Sequence, residues 1–107
     1  MSLDLYLERP GMVEVHSQNI THNLNRMAEE AGLYGLLWRP EENGNPTAAD
    51  LIAPLEAGIA AMKADPSRFE KFNSPNGWGL YKNFLPWLEE LLVQCRENPD
   101  CVVRASR

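Results

Sequence analysis

Near its start the chain reads Leu3-Asp4-Leu5-Tyr6-Leu7-Glu8, in which every second residue is a leucine. Successive side chains of an extended chain point to opposite faces, so this alternation predicts a half-buried strand over residues 3–8. Arg9-Pro10-Gly11 follows and is typical of a turn, because proline presets φ and glycine accepts a left-handed conformation. Residues 12–17 alternate again, with Val13 and Val15 between polar side chains, and predict a returning strand. The chain therefore begins with a β-hairpin.

The other end of the chain predicts a third strand. Asn98-Pro99-Asp100 ends a helix, and residues 101–106 alternate once more between apolar and polar. A lone hairpin is only marginally stable in water, so we expect this strand to join it in one antiparallel sheet. The alternation places four residues on the polar face of that sheet, where they suit an acid/base site or a solvated surface: Asp4, Tyr6, His16 and Arg104.

Between the two ends the apolar residues recur with the period of a helix. Residues 20–31 predict a helix that ends at Gly32 and is capped by Asn19 or Thr21. Further helical segments are predicted at residues 33–38, 47–62, 66–72 and 81–95, with kinks at Pro54 and Pro86. Thr47, followed three residues later by Asp50, is close to a capping box at the start of the second of these. At 107 residues the chain has the length of one domain. We predict a single α+β domain, residues 1–107, with a three-stranded antiparallel sheet packed against three or four helices.

The composition argues against several classes of function. The net charge is -5, and the 10 Lys and Arg residues are scattered singly among 15 Asp and Glu. Binding to a phosphate backbone needs clustered basic residues, so we expect no direct nucleic-acid binding. No apolar run approaches the roughly 20 residues of a membrane span. The first residues also lack the basic and apolar regions of a secretory signal, which predicts a cytoplasmic protein.

The two cysteines, Cys95 and Cys101, are expected to be reduced thiols, and a disulfide between the last helix and the last strand is the alternative. Their spacing, with both histidines far upstream, fits no standard zinc pattern. The sequence also lacks a glycine-rich phosphate loop and the short motifs of metalloproteases and serine hydrolases. We therefore expect neither a metal nor a cofactor.

The segment Asn19-Ile20-Thr21-His22-Asn23 is the first candidate site, at the predicted junction of strand and helix. Unpaired backbone N–H groups at a helix start favour an anion. His22 is then either a general acid/base or a hydrogen-bonding group, beside amides that orient a ligand. The alternative is that the segment only caps the helix and His22 bonds to a loop.

The loop Asn73 to Gly79, followed by Tyr81, is the second candidate. Gly77 and Gly79 flank Trp78 and allow a sharp turn that leaves the indole free to contact a ligand or a partner protein, with Asn76 beside it. The alternative is a tryptophan that folds back to fill the core under the loop.

Trp38-Arg39-Pro40 is the third candidate. Arg39 suits a bidentate contact with a carboxylate or phosphate. More simply, it stacks on a neighbouring aromatic ring or forms a surface ion pair with a glutamate, Glu41 and Glu42 being next to it. Convergence of the three segments would give one site in which aromatic rings stack on a nucleotide-like ligand and amides orient it. Its residues would be Asn19, His22, Asn23, Trp38, Arg39, Asn76, Trp78 and Tyr81.

These segments together resemble a family of small uncharacterised proteins encoded by bacteriophages and prophages. The resemblance spans nearly the whole chain and is carried by Ser2-Leu3-Asp4 with Tyr6-Leu7, Asn19 to Leu24, Leu37 to Glu41, Asn76-Gly77-Trp78-Gly79 with Tyr81, and Asn98-Pro99-Asp100 with Ser106-Arg107. Some family members carry a Cys/His-rich insertion in the first hairpin, where this chain has only Arg9-Pro10-Gly11, so no metal role carries over. The resemblance implies no activity. It implies the setting of a phage accessory protein inside a bacterial host.

Two classes of function fit these observations. The leading hypothesis is a non-enzymatic binding protein that engages a host protein or a small nucleotide-like ligand, for example to counteract host defence. The alternative is a small enzyme that uses His22 as general acid/base, assisted by Asp4 or Tyr81. A structural part of the virion is less favoured, because no coiled coil or self-assembling edge is evident. The sequence leaves the oligomeric state open, a dimer included.

Overall fold

A computed structural model describes residues 2–11 and 13–107, and its two chain ends pair in one sheet. The central strand is β1 (Ser2–Arg9), with β2 (Val13–Thr21) on one side and β3 (Val102–Ser106) on the other. Both pairings are antiparallel. The predicted α+β class and its three-stranded antiparallel sheet are confirmed. Met1 and Met12, which the predicted ranges include, lie outside the described residues.

Five α-helices occupy the part of the chain between β2 and β3: α1 (Asn25–Glu30), α2 (Tyr34–Trp38), α3 (Ala48–Ala64), α4 (Pro66–Glu70) and α5 (Tyr81–Glu97). The capping box predicted before α3 is present, because the Asp50 carboxylate accepts a hydrogen bond from the Thr47 backbone N–H at 3.0 Å. Short 3₁₀ turns lie at His22–Leu24 and Pro40–Glu42. Neither Pro54 nor Pro86 interrupts its helix.

The second strand is longer than predicted, and the first helix is shorter. Pairing with β1 continues until Ser2 faces Thr21, so Asn19 and Ile20 are strand residues rather than the start of a helix. The 3₁₀ turn follows, and α1 begins only at Asn25. The apolar spacing had suggested one long helix because Ile20 is buried, but it is buried as a strand residue opposite Leu3.

The predicted helix end at Gly32 is correct, and its geometry explains the glycine. Gly32 has a φ of 76°, in the left-handed region that glycine enters without steric cost. Its N–H donates to the Glu29 carbonyl over 3.0 Å, and the Leu33 N–H donates to the Ala28 carbonyl over 2.8 Å. This pair of bonds is a Schellman motif, which satisfies carbonyls at the end of α1.

The valines of β2 suggest that their side of the strand packs on the helices. In the structure the other side of β2 faces the helices. The buried residues Leu3, Leu5 and Leu7 pair with Ile20, Gln18 and His16. Val15, next to His16, therefore lies on the open face and is 37% exposed. Val13 lies beyond an irregularity in the register, pairs with Arg9 and is 58% exposed, so neither valine belongs to the core.

We expected four polar residues to share the open face of the sheet. For His16 this is wrong, because it lies on the face that packs on the helices. His16 Nε2 lies 2.7 Å from Gln18 Oε1 on the helix side, while the Arg104 guanidinium lies 4.2 Å from the Tyr6 ring centroid. Arg104 also makes two hydrogen bonds of 3.0 Å to the Glu8 carboxylate. These contacts describe a stabilised sheet surface rather than an acid/base group.

The hydrophobic core lies between the sheet and the helices, and it holds the end of β2 in place. Its fully buried side chains come from β1 and all five helices, and they include Leu5, Met27, Leu37, Leu55, Phe69 and Phe84. Two further bonds join β2 to α5: Trp87 Nε1 donates to the Asn19 carbonyl over 3.0 Å, and Gln18 Nε2 donates to the Trp87 carbonyl over 3.0 Å. Within residues 2–11 and 13–107, no helix is long and apolar enough to cross a membrane.

Candidate functional site

An open cavity of about 820 Å³ lies beside the end of β2, between the sheet and the loop that precedes α5. This volume falls within the range of about 300–1,000 Å³ that is usual for small-molecule sites. Three parts of the chain line it: Ser2, the segment from Asn19 to Leu24, and the segment from Asn76 to Leu80 with Asn83. The first and second candidate segments thus meet at one site.

The loop is held against the end of β2 by a close backbone approach. Asn23 Nδ2 donates to the Trp78 carbonyl over 2.8 Å. Gly79 is buried beside Asn23, with a φ of 113°, and a Cβ at this position would lie only 2.9 Å from the Asn23 Cβ. Only glycine combines this conformation with this approach, so Gly79 positions the loop over the cavity.

Trp78 presents its indole to solvent rather than to the core. Asn76 fixes the conformation of the loop around Trp78. Its Oδ1 accepts hydrogen bonds from the Trp78 N–H at 2.9 Å and from the Ser74 hydroxyl at 2.6 Å. The residue is 70% exposed, the highest value among the exposed large hydrophobic residues of the described chain. The alternative in which Trp78 fills the core is therefore excluded.

His22 is oriented from behind by Trp38. The Trp38 Nε1–H donates to His22 Nδ1 over 3.0 Å, so Nδ1 carries a lone pair and the neutral ring holds its hydrogen on Nε2. Nε2 bonds to no described residue, and no buried side-chain nitrogen or oxygen of the described chain lacks a partner. Because His22 lines the cavity, its Nε2–H is the hydrogen-bonding group that the ring has left to offer there.

Amide groups provide the other polar atoms of the cavity. Asn19 Nδ2 is engaged by Ser2 Oγ at 2.9 Å and Asp4 Oδ1 at 2.6 Å, and Asn23 Nδ2 is engaged by Trp78. The remaining amide atoms bond to no described residue: Oδ1 of Asn19 and Asn23, Nδ2 of Asn76, and both atoms of Asn83. The cavity therefore offers donors and acceptors together. No Asp, Glu, Lys or Arg lines it within the described chain.

Five of the eight predicted site residues line this cavity, namely Asn19, His22, Asn23, Asn76 and Trp78. The other three do not. Trp38 is 2% exposed and stacks on Tyr34 at a centroid distance of 5.7 Å, so it contributes through His22 and not as a stacking surface. The expectation that all three segments converge is thus corrected: the third segment, which holds Trp38 and Arg39, does not line the cavity.

Arg39 and Tyr81 are occupied elsewhere. Arg39 bonds to the Tyr34 hydroxyl at 3.2 Å and to the Glu42 carboxylate at 2.7 Å, and these two partners raise its pKa. This is the surface pairing that the sequence offered as the simpler interpretation. The Tyr81 hydroxyl donates to the Met62 carbonyl over 2.7 Å, and desolvation raises the pKa of Tyr81.

The arrangement expected for an enzyme or an anion site is not formed around His22. Asp4 accepts from Asn19, and Tyr81 bonds to Met62, and neither proposed assistant forms a hydrogen bond with the imidazole. The Thr21 hydroxyl oxygen accepts from the Asn23 N–H at 3.3 Å and so caps a 3₁₀ turn of only three residues. No group of three His, Cys, Asp or Glu side chains in the described chain is placed to hold a metal ion.

Sequence reasoning missed several residues that line the cavity, chiefly Asn83 and Ser2. Asn83 lies in the first turn of α5, one helical turn after Leu80. Its position directly after the Trp78 loop was the available signal. Ser2 reaches the cavity because it pairs with Thr21, and only the register of the hairpin reveals that.

Comparisons of the chain with protein-family models, curated proteins and solved structures found no match.

Proposed function

We propose that this chain is a non-enzymatic binding protein whose site is the cavity beneath Trp78. The observation that carries the proposal is that Trp78, which is 70% exposed, lines a cavity of small-molecule size. The other Phe, Tyr and Trp residues are buried or partly buried, and a rigid exposed aromatic ring with a polar surround is typical of an interaction site. Bonds from Asn23 and Asn76 to the Trp78 backbone hold the loop in advance of binding, which reduces the entropy lost on association.

The bond from Trp38 to His22 favours binding over acid/base catalysis. A general base at the cavity needs a free lone pair on Nε2. A neutral imidazole with a lone pair on Nε2 carries its hydrogen on Nδ1. That N–H would point at the buried N–H of Trp38, and two donors cannot form a hydrogen bond with each other. His22 is therefore suited to donate a hydrogen bond to a ligand, and the proposal assigns it that role.

The biological setting of the proposal comes from the resemblance to phage and prophage proteins. Its two most specific segments, Asn19 to Leu24 and Asn76 to Gly79, are the two that line the cavity. This coincidence supports a shared binding role in that family. We propose that the protein is a phage accessory protein that acts in the host cytoplasm on a host protein or a small nucleotide-like ligand, with antagonism of host defence as one such role.

The test uses Trp78 as its own reporter. Fluorescence of the wild type is titrated with a panel of nucleobases, nucleosides and nucleotides, and a tagged form is used for capture from host lysate. The matched variants are Trp78→Ala, in the cavity, and Val93→Ala, an exposed apolar residue of α5 that does not line it. Because Trp78→Ala removes the reporter, ligand binding by the variants is measured by calorimetry. We expect binding of a ligand, or capture of a partner, that Trp78→Ala abolishes and Val93→Ala retains. Equal behaviour of the two variants would contradict the assignment of the site.

A further inference from the structure

We propose that the cavity selects an uncharged planar heterocycle, a nucleobase or its nucleoside, over the phosphorylated forms of the same molecule. This inference rests on the proposed function, since it names the ligand class of that site. It is carried by three properties of the cavity: its lack of charge, its exposed ring and the polarity of its free hydrogen-bonding atoms.

The first property is the absence of a cation where a phosphate would need one. Phosphate sites use Arg, Lys or the N-terminus of a helix. Within the described residues no charged side chain lines the cavity, and the Asn23 N–H is already bonded to Thr21. The start of α5 also lines the cavity, but its Tyr81 N–H is bonded to Asn73 Oδ1 and its Asn83 N–H to the Leu80 carbonyl. The nearest carboxylate in the hydrogen-bond network is that of Asp4, which is 2.6 Å from Asn19 Nδ2. A phosphate here would lose its hydration, gain no ion pair and be repelled by that carboxylate.

The second property is the ring of Trp78. Its two faces are not both covered, because the residue is 70% exposed, and its backbone is fixed at the N–H and at the carbonyl. A flat heterocycle can stack on such a ring, and every base has a π-face for the purpose. The stacking therefore favours a planar ligand and leaves the choice of base to the polar atoms.

The third property is the mixture of donors and acceptors that the cavity leaves free. His22 Nε2–H and Asn76 Nδ2 are donors, and Asn19 Oδ1 and Asn23 Oδ1 are acceptors. The matching edge on a ligand carries a carbonyl next to an N–H, as in guanine and uracil. A ligand stacked here would shield these atoms from water, and a shielded polar atom without a partner is costly, so such a site discriminates against a ligand that lacks either group.

The donor at His22 depends on Trp38, which we assign as a positioning residue. Since the indole N–H occupies Nδ1, the neutral imidazole can only offer its Nε2–H to the cavity. A ligand atom that meets it must be an acceptor, such as a carbonyl oxygen or a ring nitrogen. Trp38 thus determines that His22 acts as a hydrogen-bond donor towards the ligand, although Trp38 does not contact the ligand itself.

The test is a set of titrations at low ionic strength, in which Trp78 fluorescence and calorimetry report binding. Guanosine and uridine are compared with their 5′-monophosphates and 5′-triphosphates, and with a neutral sugar. We expect one of the nucleosides to bind at least about tenfold more tightly than its triphosphate, a difference of about 1.4 kcal/mol. His22→Ala should weaken that binding, while His22→Gln, which can still accept from Trp38 and donate to a ligand, should retain more of it.

The possible failures are distinguishable. Tighter binding of the triphosphate, or binding of the sugar alone, would overturn the inference and leave the cavity as a binding site. If none of these molecules binds but a host protein is captured in a manner that Trp78→Ala abolishes, the ligand class is wrong and the proposed function stands. If neither ligand nor partner responds to Trp78→Ala, both fail.

Discussion

The indole of Trp38 and the imidazole of His22 are joined by a hydrogen bond of 3.0 Å that connects the core to the candidate site. Trp38 is 2% exposed, whereas His22 lines the cavity. The bond satisfies a buried donor and at the same time fixes which nitrogen of His22 carries the hydrogen. A core residue therefore determines the hydrogen-bonding character of a surface residue 16 positions earlier in the chain.

Trp38→Phe tests this relationship. The variant keeps an aromatic ring in the core but removes the N–H, so we expect His22 to populate both neutral tautomers. The free energy of unfolding should fall by about 1–3 kcal/mol through the lost hydrogen bond and the smaller ring. The ¹⁵N shifts of His22 report the tautomer directly. The matched control is Trp87→Phe, which loses an indole bond of the same length to the Asn19 carbonyl but should leave the His22 tautomer unchanged. An unaltered His22 spectrum in Trp38→Phe would contradict the assigned role.

Gly79→Ala tests the close approach of the loop to Asn23. The added Cβ would lie 2.9 Å from the Asn23 Cβ, and the φ of 113° is itself unfavourable for alanine. We expect a loss of about 2–4 kcal/mol in the free energy of unfolding, measured with urea, together with shifted amide resonances at Asn23. Gly77→Ala is the control, because φ is also positive there but nothing lies within 4 Å of the added atom. Its loss should be about 1–2 kcal/mol. Equal losses would show that the contact with Asn23 is unimportant.

Much of the fold follows from local patterns in the sequence. The alternation of Leu3, Leu5 and Leu7 predicted the central strand, and the Thr47–Asp50 spacing predicted the start of α3. These signals succeed because each one arises from chemistry within a few residues. For the candidate site, we predicted that three segments converge. Two of them, Asn19–Asn23 and the Trp78 loop, do meet.

The errors have a common cause, which is that long-range pairing overrides local pattern. In β2 the valines looked like the buried face, yet the pairing of Leu3 with Ile20 determines which side faces the helices. Trp38 likewise looked like a site residue, although only tertiary packing decides that its ring is buried and its N–H reaches His22. Neither fact has a signature in the neighbouring sequence.

Ile20→Ala and Val13→Ala together test the orientation of β2. Ile20 is 8% exposed and belongs to the core, whereas Val13 is 58% exposed and lies outside it. We expect Ile20→Ala to lower the free energy of unfolding by about 2–4 kcal/mol. Val13→Ala should change it by about 0.5 kcal/mol or less. Urea denaturation of both variants measures the difference. A larger effect at Val13 than at Ile20 would mean that the strand is turned the other way.

The cysteines should be unreactive in the folded protein. Cys95 and Cys101 are free thiols, as the sequence favoured, and both are buried. Desolvation raises the pKa of Cys95 to about 12, and Cys101 adds to the shift, so very little thiolate is present near neutral pH. We expect iodoacetamide to label neither residue in native buffer and both in concentrated urea, as measured by mass spectrometry. Rapid native labelling would contradict their burial.

The pH dependence of stability should contain a contribution from Glu41. The hydrogen bond from Arg107, 2.6 Å long, lowers the pKa of the Glu41 carboxyl below its ordinary value. A carboxyl with a depressed folded-state pKa contributes stability above its unfolded pKa and loses it as the pH falls through the folded value. Acidification below about pH 4.5 should therefore weaken the wild type more than Arg107→Gln.

A carboxyl-detected NMR titration of Glu41 measures the effect at its source. In Arg107→Gln the pKa of Glu41 should rise towards the ordinary value, because the first and largest cause of its shift has been removed. Arg96→Gln is the matched control, since it breaks a surface pair of similar length with Glu56, 2.9 Å, and leaves Glu41 untouched. If both variants shift Glu41 equally, the change comes from the net charge of the protein. The bond to Arg107 would then have no specific effect.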